Sequence, residues 1–192
     1  SDENELQHLL FTAIRSGRPM AVRYPRSAGT GVRMDKEFRE IPIGQSRVLR
    51  EGADALILAI GSMVAPSLKA SDLLKKQGID AGVVDLRYAK PLDPALIGMI
   101  GPELRCIVTV EENVLCGGVG SNINSFFQQA GLTGTPVYNI GIPDKFIEHG
   151  PQTVLRARYG LDAVSIAERI KSILDSVPYG TAAALGIEMV QD

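Results

Sequence analysis

The chain has 192 residues, 45% of them hydrophobic, enough to bury the core of one full domain and part of another. Its 20 Lys and Arg nearly balance 22 Asp and Glu, so there is no basic field for a nucleic-acid backbone or an anionic membrane surface, and neither partner is expected. The longest apolar runs, such as 53–60 with Asp54 inside it, fall short of the roughly eighteen residues a membrane-spanning helix needs.

In chain order, the acidic, polar start Ser1-Asp2-Glu3-Asn4-Glu5 is the opposite of a secretory leader. Leu6, Leu9, Leu10, Ala13 and Ile14 then recur at helical spacing, with Ser1 or Asp2 as cap and Gly17 as stop. Pro19-Met20-Ala21-Val22-Arg23-Tyr24 reads as a short buried strand ended by Pro25. One helix and one strand cannot enclose a core, so this piece is expected to be the tail of another domain. The stretch from Ser27 to Gly44, rich in glycine and charge, suits an exposed connection.

From about Gln45 strands alternate with helices, the pattern of an α/β sheet with parallel strands. Strands are predicted at Ala55–Ile60, Ala81–Leu86, Cys106–Val110 and Pro136–Ile140. Helices are predicted at Val64–Gln77, Pro94–Ile100 with Asp93 as cap, Ser121–Ala130, Pro151–Tyr159 with proline in its opening turn, and Ala163–Leu174. The remainder, from Ser176, shows no period. Cys106 and Cys116 lie in a core strand and a Gly-rich turn. Both are expected as small buried hydrophobes in a reducing compartment.

Several residues could carry chemistry. Arg23 and Arg26 flank Tyr24-Pro25, and two guanidinium groups there could grip a phosphate bidentately; a surface salt bridge fits the same spacing. Glu111-Glu112-Asn113 leads into Gly117-Gly118-Val119-Gly120-Ser121 and a helix, which looks like a phosphate loop but lacks its lysine and carries two carboxylates that would repel an anion. Tight turning and helix capping are the expected roles of these glycines and acids. Asp85-Leu86-Arg87 is read as an ion pair. His8 sits among apolar helix neighbours, and His149 is taken as a loop histidine satisfied by a backbone carbonyl. Two histidines without nearby cysteine make a metal site improbable. Gly61-Ser62 lacks the setting of a nucleophile elbow.

In order and spacing, Ser1-Asp2-Glu3-Asn4-Glu5, Ala21-Val22-Arg23-Tyr24-Pro25-Arg26, Leu86-Arg87 with Lys90-Pro91-Leu92-Asp93, Val108-Thr109-Val110-Glu111-Glu112-Asn113, Gly117-Gly118-Val119-Gly120-Ser121 and Asn139-Ile140-Gly141-Ile142-Pro143-Asp144 resemble the carboxy-terminal part of the 1-deoxy-D-xylulose-5-phosphate synthase family, within the transketolase superfamily. The resemblance runs from Ser1 to about Leu174. It implies an α/β fold with a mostly parallel sheet flanked by helices, like the transketolase carboxy-terminal domain, preceded by the last helix and strand of a thiamine pyrimidine-binding domain. The implied boundaries are 1–30 for that second-domain tail, 31–44 for a linker, 45–175 for the carboxy-terminal domain and 176–192 for a tail.

The resemblance further implies a thiamine-diphosphate-dependent transferase that condenses pyruvate with glyceraldehyde 3-phosphate, losing carbon dioxide, to give 1-deoxy-D-xylulose 5-phosphate for isoprenoid, thiamine and pyridoxal synthesis. Thiamine diphosphate and Mg²⁺ would be held mainly by amino-terminal domains that this chain lacks. No catalytic, cofactor or metal residue is then expected here, and the chain alone would be inactive. Arg26, and less directly Arg23, would bind the substrate phosphate. The implied partners are the amino-terminal part of the same enzyme and a second protomer of a homodimer, in a bacterial cytoplasm or a plastid. Transketolase, a 2-oxoacid dehydrogenase beta chain and a non-catalytic assembly module are the competing readings.

Overall fold

A computed structural model describes residues 1–26, 28–101 and 103–177. Helix α1 spans Glu3–Arg15, and the Asp2 carboxylate caps it by accepting from the Glu5 amide at 2.8 Å. A five-stranded sheet follows: β1 (Arg47–Arg50), β2 (Ala55–Ala59), β3 (Ala81–Asp85), β4 (Cys106–Val114) and β5 (Val137–Ile142), in the order β1-β3-β2-β4-β5. Strands β2 to β5 are parallel to their neighbours, and β1 runs antiparallel to β3.

The apolar runs of β2 and of residues 81–84 in β3 are explained by burial of every residue in both strands, because helices cover both faces; Asp85, which ends β3, is buried with them. Ala55 and Ile57 point toward α2 (Val64–Lys75) and, near the end of the chain, the helix Ala163–Ser176, in a cluster with Met63, Leu74, Ile166 and Ile170. Leu56 and Leu58 point the other way, into a cluster with Leu96 of the 3₁₀ helix Pro94–Met99 and with Val119, Ile123 and Phe127 of α3 (Val119–Gln129). α4 (Gln152–Arg158) buries no residue, and Ala163–Ser176 is α5, with Asp162 accepting from the Val164 and Ser165 amides as its cap. The expected Asp93 cap is present, accepting from the Ala95 amide at 2.9 Å.

Four readings of the sequence need correction. The residues 19–24 form no strand: no strand among the described residues runs beside them, and a strand exists only through pairing. Strand β1 was not foreseen, because Arg47-Val48-Leu49-Arg50 has arginine at both ends and pairs at the sheet edge across an irregular register. Pro151 stands at the position just before α4 and not in its first turn, and makes no side-chain cap. Cys106 is buried as expected, but Cys116 is exposed on the turn before α3. The tail expected over 176–192 lies, after Val177, outside the described residues.

Two close approaches shape the junctions. A Cβ on Gly52 would fall 2.1 Å from the Gly82 nitrogen, so the turn leaving β1 presses on β3 at a distance that only glycine permits. The connection after Thr30 is strapped along α1 by that helix's own side chains. Glu3 accepts from the Thr30 and Val32 amides at 3.0 and 3.1 Å, Asn4 from Asp35 at 2.7 Å, and Thr12 from Ile41 at 2.8 Å. The buried His8 ring accepts the Arg39 amide on Nδ1 at 3.1 Å, which makes Nε2, 2.8 Å from Asp35 Oδ2, the protonated nitrogen. Asn4, His8 and Thr12 recur every fourth residue and so share one helix face.

Candidate functional site

From β2 the chain passes to β3 on one side, then crosses to β4 on the other, so the sheet has its switch point between the carboxyl ends of β2 and β4. A groove of about 820 Å³ opens there. One wall is the irregular segment 18–26 with Arg18, Arg23 and Arg26, and the other is made by Ser62 after β2, Arg87 and Lys90 after β3, and Glu112 and Asn113 at the end of β4. Segments the sequence marked separately as candidate sites thus meet in one place. Arg23 Nη1 donates to Asn113 Oδ1, and Arg26 is exposed in the same groove.

The acidic pair at the end of β4 has no free carboxylate to offer as acid or base. Glu111, 1% exposed, accepts from the Val119 and Gly120 amides at 2.8 Å each. It therefore occupies the α3 amino terminus that a phosphate would need, as its expected capping role requires. Glu112 accepts two hydrogen bonds from Arg156 of α4, at 2.8 and 2.7 Å, and one from Ser62 Oγ at 2.6 Å. Burial pushes the Glu112 carboxyl up, but the bonds from Arg156 and Ser62 outweigh it and leave the group below the usual carboxylate range. It stays ionised and ties α4 to the switch point.

The third candidate differs from its expected form. Arg87 does not pair with Asp85; its Nε donates across 82 positions of sequence to Glu5 Oε1 on α1, at 2.7 Å. Arg87 has φ 56, a left-handed conformation rare outside glycine, and the Tyr88 amide donates to the Leu86 carbonyl at 2.5 Å to close a γ-turn around it. Asp85 Oδ1 steadies the turn by accepting the Arg87 amide at 2.9 Å. His8 belongs to the strap, not the groove, and His149 is exposed, so it does not need the carbonyl partner expected for it. Among the described residues no group of His, Cys, Asp and Glu could hold a metal ion. The signal that could have flagged Glu5 was its place beside the hydrophobic face of an acidic helix start, but no spacing rule connects it with Arg87.

Asp85 and Glu5 form a buried carboxyl pair that holds one proton below about pH 6. Burial, then the charge of Glu5, pushes Asp85 up to about 6. Burial also raises Glu5, but hydrogen bonds from Ser1 and from Asp85 and the charge of Arg87 bring it down to about 2. The folded Asp85 thus holds its proton above the unfolded value of about 3.9, and the native state binds the extra proton between roughly pH 4 and 6. Stability from this residue must therefore fall as pH rises through that window. Asp85→Asn keeps the acceptor for the Arg87 amide and removes the titration. Urea unfolding across pH is expected to show the variant gaining on the native chain from about pH 4 to 6 and holding a constant difference above. A difference that does not change with pH would place the proton elsewhere.

With this geometry in hand, comparison with known proteins places the chain in a family. The family model for the transketolase C-terminal domain matches residues 44–166, more than half of the chain, and the chain belongs to that family. Over 175 residues it is 50% identical to 1-deoxy-D-xylulose-5-phosphate synthase of Dehalococcoides mccartyi strain BAV1, covering 91% of this chain and 28% of the relative. It is 47% identical over 174 residues to the synthase of Pelotomaculum thermopropionicum, covering 91% of this chain and 27% of the relative. A solved structure described as a split gene transketolase, inactive beta4 tetramer, superposes with a TM-score of 0.65 at 33% identity, covering 73% of this chain and 45% of that one. The chain thus spans little more than a quarter of the length of the curated relatives it matches.

Proposed function

We propose that this chain forms the carboxy-terminal part of a 1-deoxy-D-xylulose-5-phosphate synthase, which joins pyruvate to glyceraldehyde 3-phosphate with loss of carbon dioxide. The observation that carries this reading is the half identity to proteins of that name across nine-tenths of the chain. Thiamine diphosphate with Mg²⁺ supplies the carbanion chemistry in such an enzyme. The acids at the end of β4 do not fit a metal: Glu111 caps a helix and Glu112 is saturated by Arg156 and Ser62. Cofactor and metal are therefore assigned to the amino-terminal part of the enzyme, and the chain alone is inactive. It works with that part and with a second protomer, in the cytoplasm; no described helix is long and apolar enough to cross a membrane.

This chain's contribution to the reaction is to bind. Arg26, with Arg23 beside it, receives the phosphate of the aldehyde substrate, because a guanidinium presents paired donors to phosphate oxygens and the groove gathers further cations at Arg18 and Lys90. Arg26→Ala in the full-length enzyme is expected to raise KM for glyceraldehyde 3-phosphate about tenfold or more, while KM for pyruvate changes little. An unchanged KM for the phosphorylated aldehyde would remove Arg26 from the site. Product analysis tests the reaction itself: deoxyxylulose phosphate supports it, and acyl transfer to a lipoyl group or two-carbon ketol transfer excludes it.

A further inference from the structure

The arginines that line the groove sit on a segment with no strand partner among the described residues, so something other than a sheet must set their depth. Two contacts cross from the strand ends to that part of the chain. Arg23 donates to Asn113 at the end of β4. Arg87, after β3, donates to Glu5 on α1, the helix that leads into the segment, and the two side chains are only 13% and 8% exposed.

The second contact is the stronger constraint. A buried carboxylate and a buried guanidinium hold each other in register, because sliding α1 by one turn would strand the Arg87 charge in a poorly solvated place and leave Glu5 only its local partner Ser1. The left-handed turn at Arg87 and the Asp85 carboxylate that steadies it direct the guanidinium away from its own strand and across to the helix. The groove side chains Arg18 and Lys90 lie near the same junction, yet among the three it is Arg87 that pairs with Glu5, one of whose oxygens also takes Ser1.

We infer that Arg87, acting through Glu5, is a positioning residue for the arginine segment: it fixes α1 on the strand ends so that Arg23 and Arg26 present their guanidinium groups to the groove, with Asn113 aligning Arg23. This rests on the phosphate-binding reading above and deepens it, giving the carboxy-terminal sheet a part in substrate affinity beyond packing.

The test uses the full-length enzyme with two acceptors, glyceraldehyde 3-phosphate and unphosphorylated glyceraldehyde. Arg87→Met combined with Glu5→Gln removes both charges at once, so neither is stranded. Asn113→Leu, at a partly exposed position, serves as an independent variant that does not disturb the buried pair. Expected is a fall of about tenfold in kcat/KM for the phosphorylated acceptor in the double variant and about threefold in Asn113→Leu, with the unphosphorylated acceptor losing less than about twofold in either. Equal losses for both acceptors, or no loss in either variant, would overturn the inference. Arg26→Ala measured alongside separates the two failures: if it too leaves the phosphorylated acceptor unaffected, the phosphate-binding reading falls and this inference falls with it.

Discussion

Glu111→Ala is expected to lower the unfolding free energy by about 3 kcal/mol, seen as a lower urea midpoint at unchanged slope. The carboxylate is 1% exposed and serves two amides of the first turn of α3. Hydrogen bonds to a charged group are each worth more than neutral ones, and truncation leaves both donors buried without their acceptor. Glu111→Gln keeps one acceptor oxygen and turns an amide group toward the second donor, so about half of the loss should return. A loss under about 1 kcal/mol in the alanine variant would mean that water reaches the site and replaces the cap.

Phe127→Ala is expected to cost about 4 kcal/mol, the upper part of the range for a fully enclosed aromatic ring. Phe127 is 2% exposed and shares its cluster with Leu58, Leu96, Ile107 and Ile123, so its removal opens a void between α3 and the sheet that rigid strands cannot close. The neighbouring Phe126 supplies the control. Its ring centroid lies 5.6 Å away but it is only partly buried, and its truncation is expected to cost about 1 to 2 kcal/mol. Equal costs at the two positions in urea unfolding would show that this face of the sheet is loosely packed. Both losses are large against a typical total of about 5 to 15 kcal/mol.

Much of the sheet was legible because parallel strands covered on both faces must be apolar throughout. Ala55–Ala59 and residues 81–84 announce themselves in that way, and Asp93 and Asp162 mark helix starts by a local capping rule. Strand β1 escaped because an edge strand with arginine at each end carries no such run. The segment 19–24 misled for the opposite reason: its composition suits a strand, but pairing is a property of the neighbour. At the site, Arg23, Arg26 and the acids at the end of β4 were visible as types. Their meeting at a switch point depends on strand order, which no short window contains. Glu5 with Arg87 and His8 with the Arg39 amide join residues 82 and 31 positions apart, through contacts that only the folded chain creates.

The strap along α1 makes order in the connection conditional on the helix. Its amides at Thr30, Val32, Asp35, Arg39 and Ile41 are held by side chains of one helix and not by a backbone ladder. The helix is in turn held to the sheet by Arg87. Helix and connection should therefore open and close as a single cooperative unit, separate from the strands beneath. The junction then behaves as a hinge leaf pinned chiefly at Arg87, with Arg23 on Asn113 and Tyr88 on Ile41 as further ties, and loosening them would free helix and connection together.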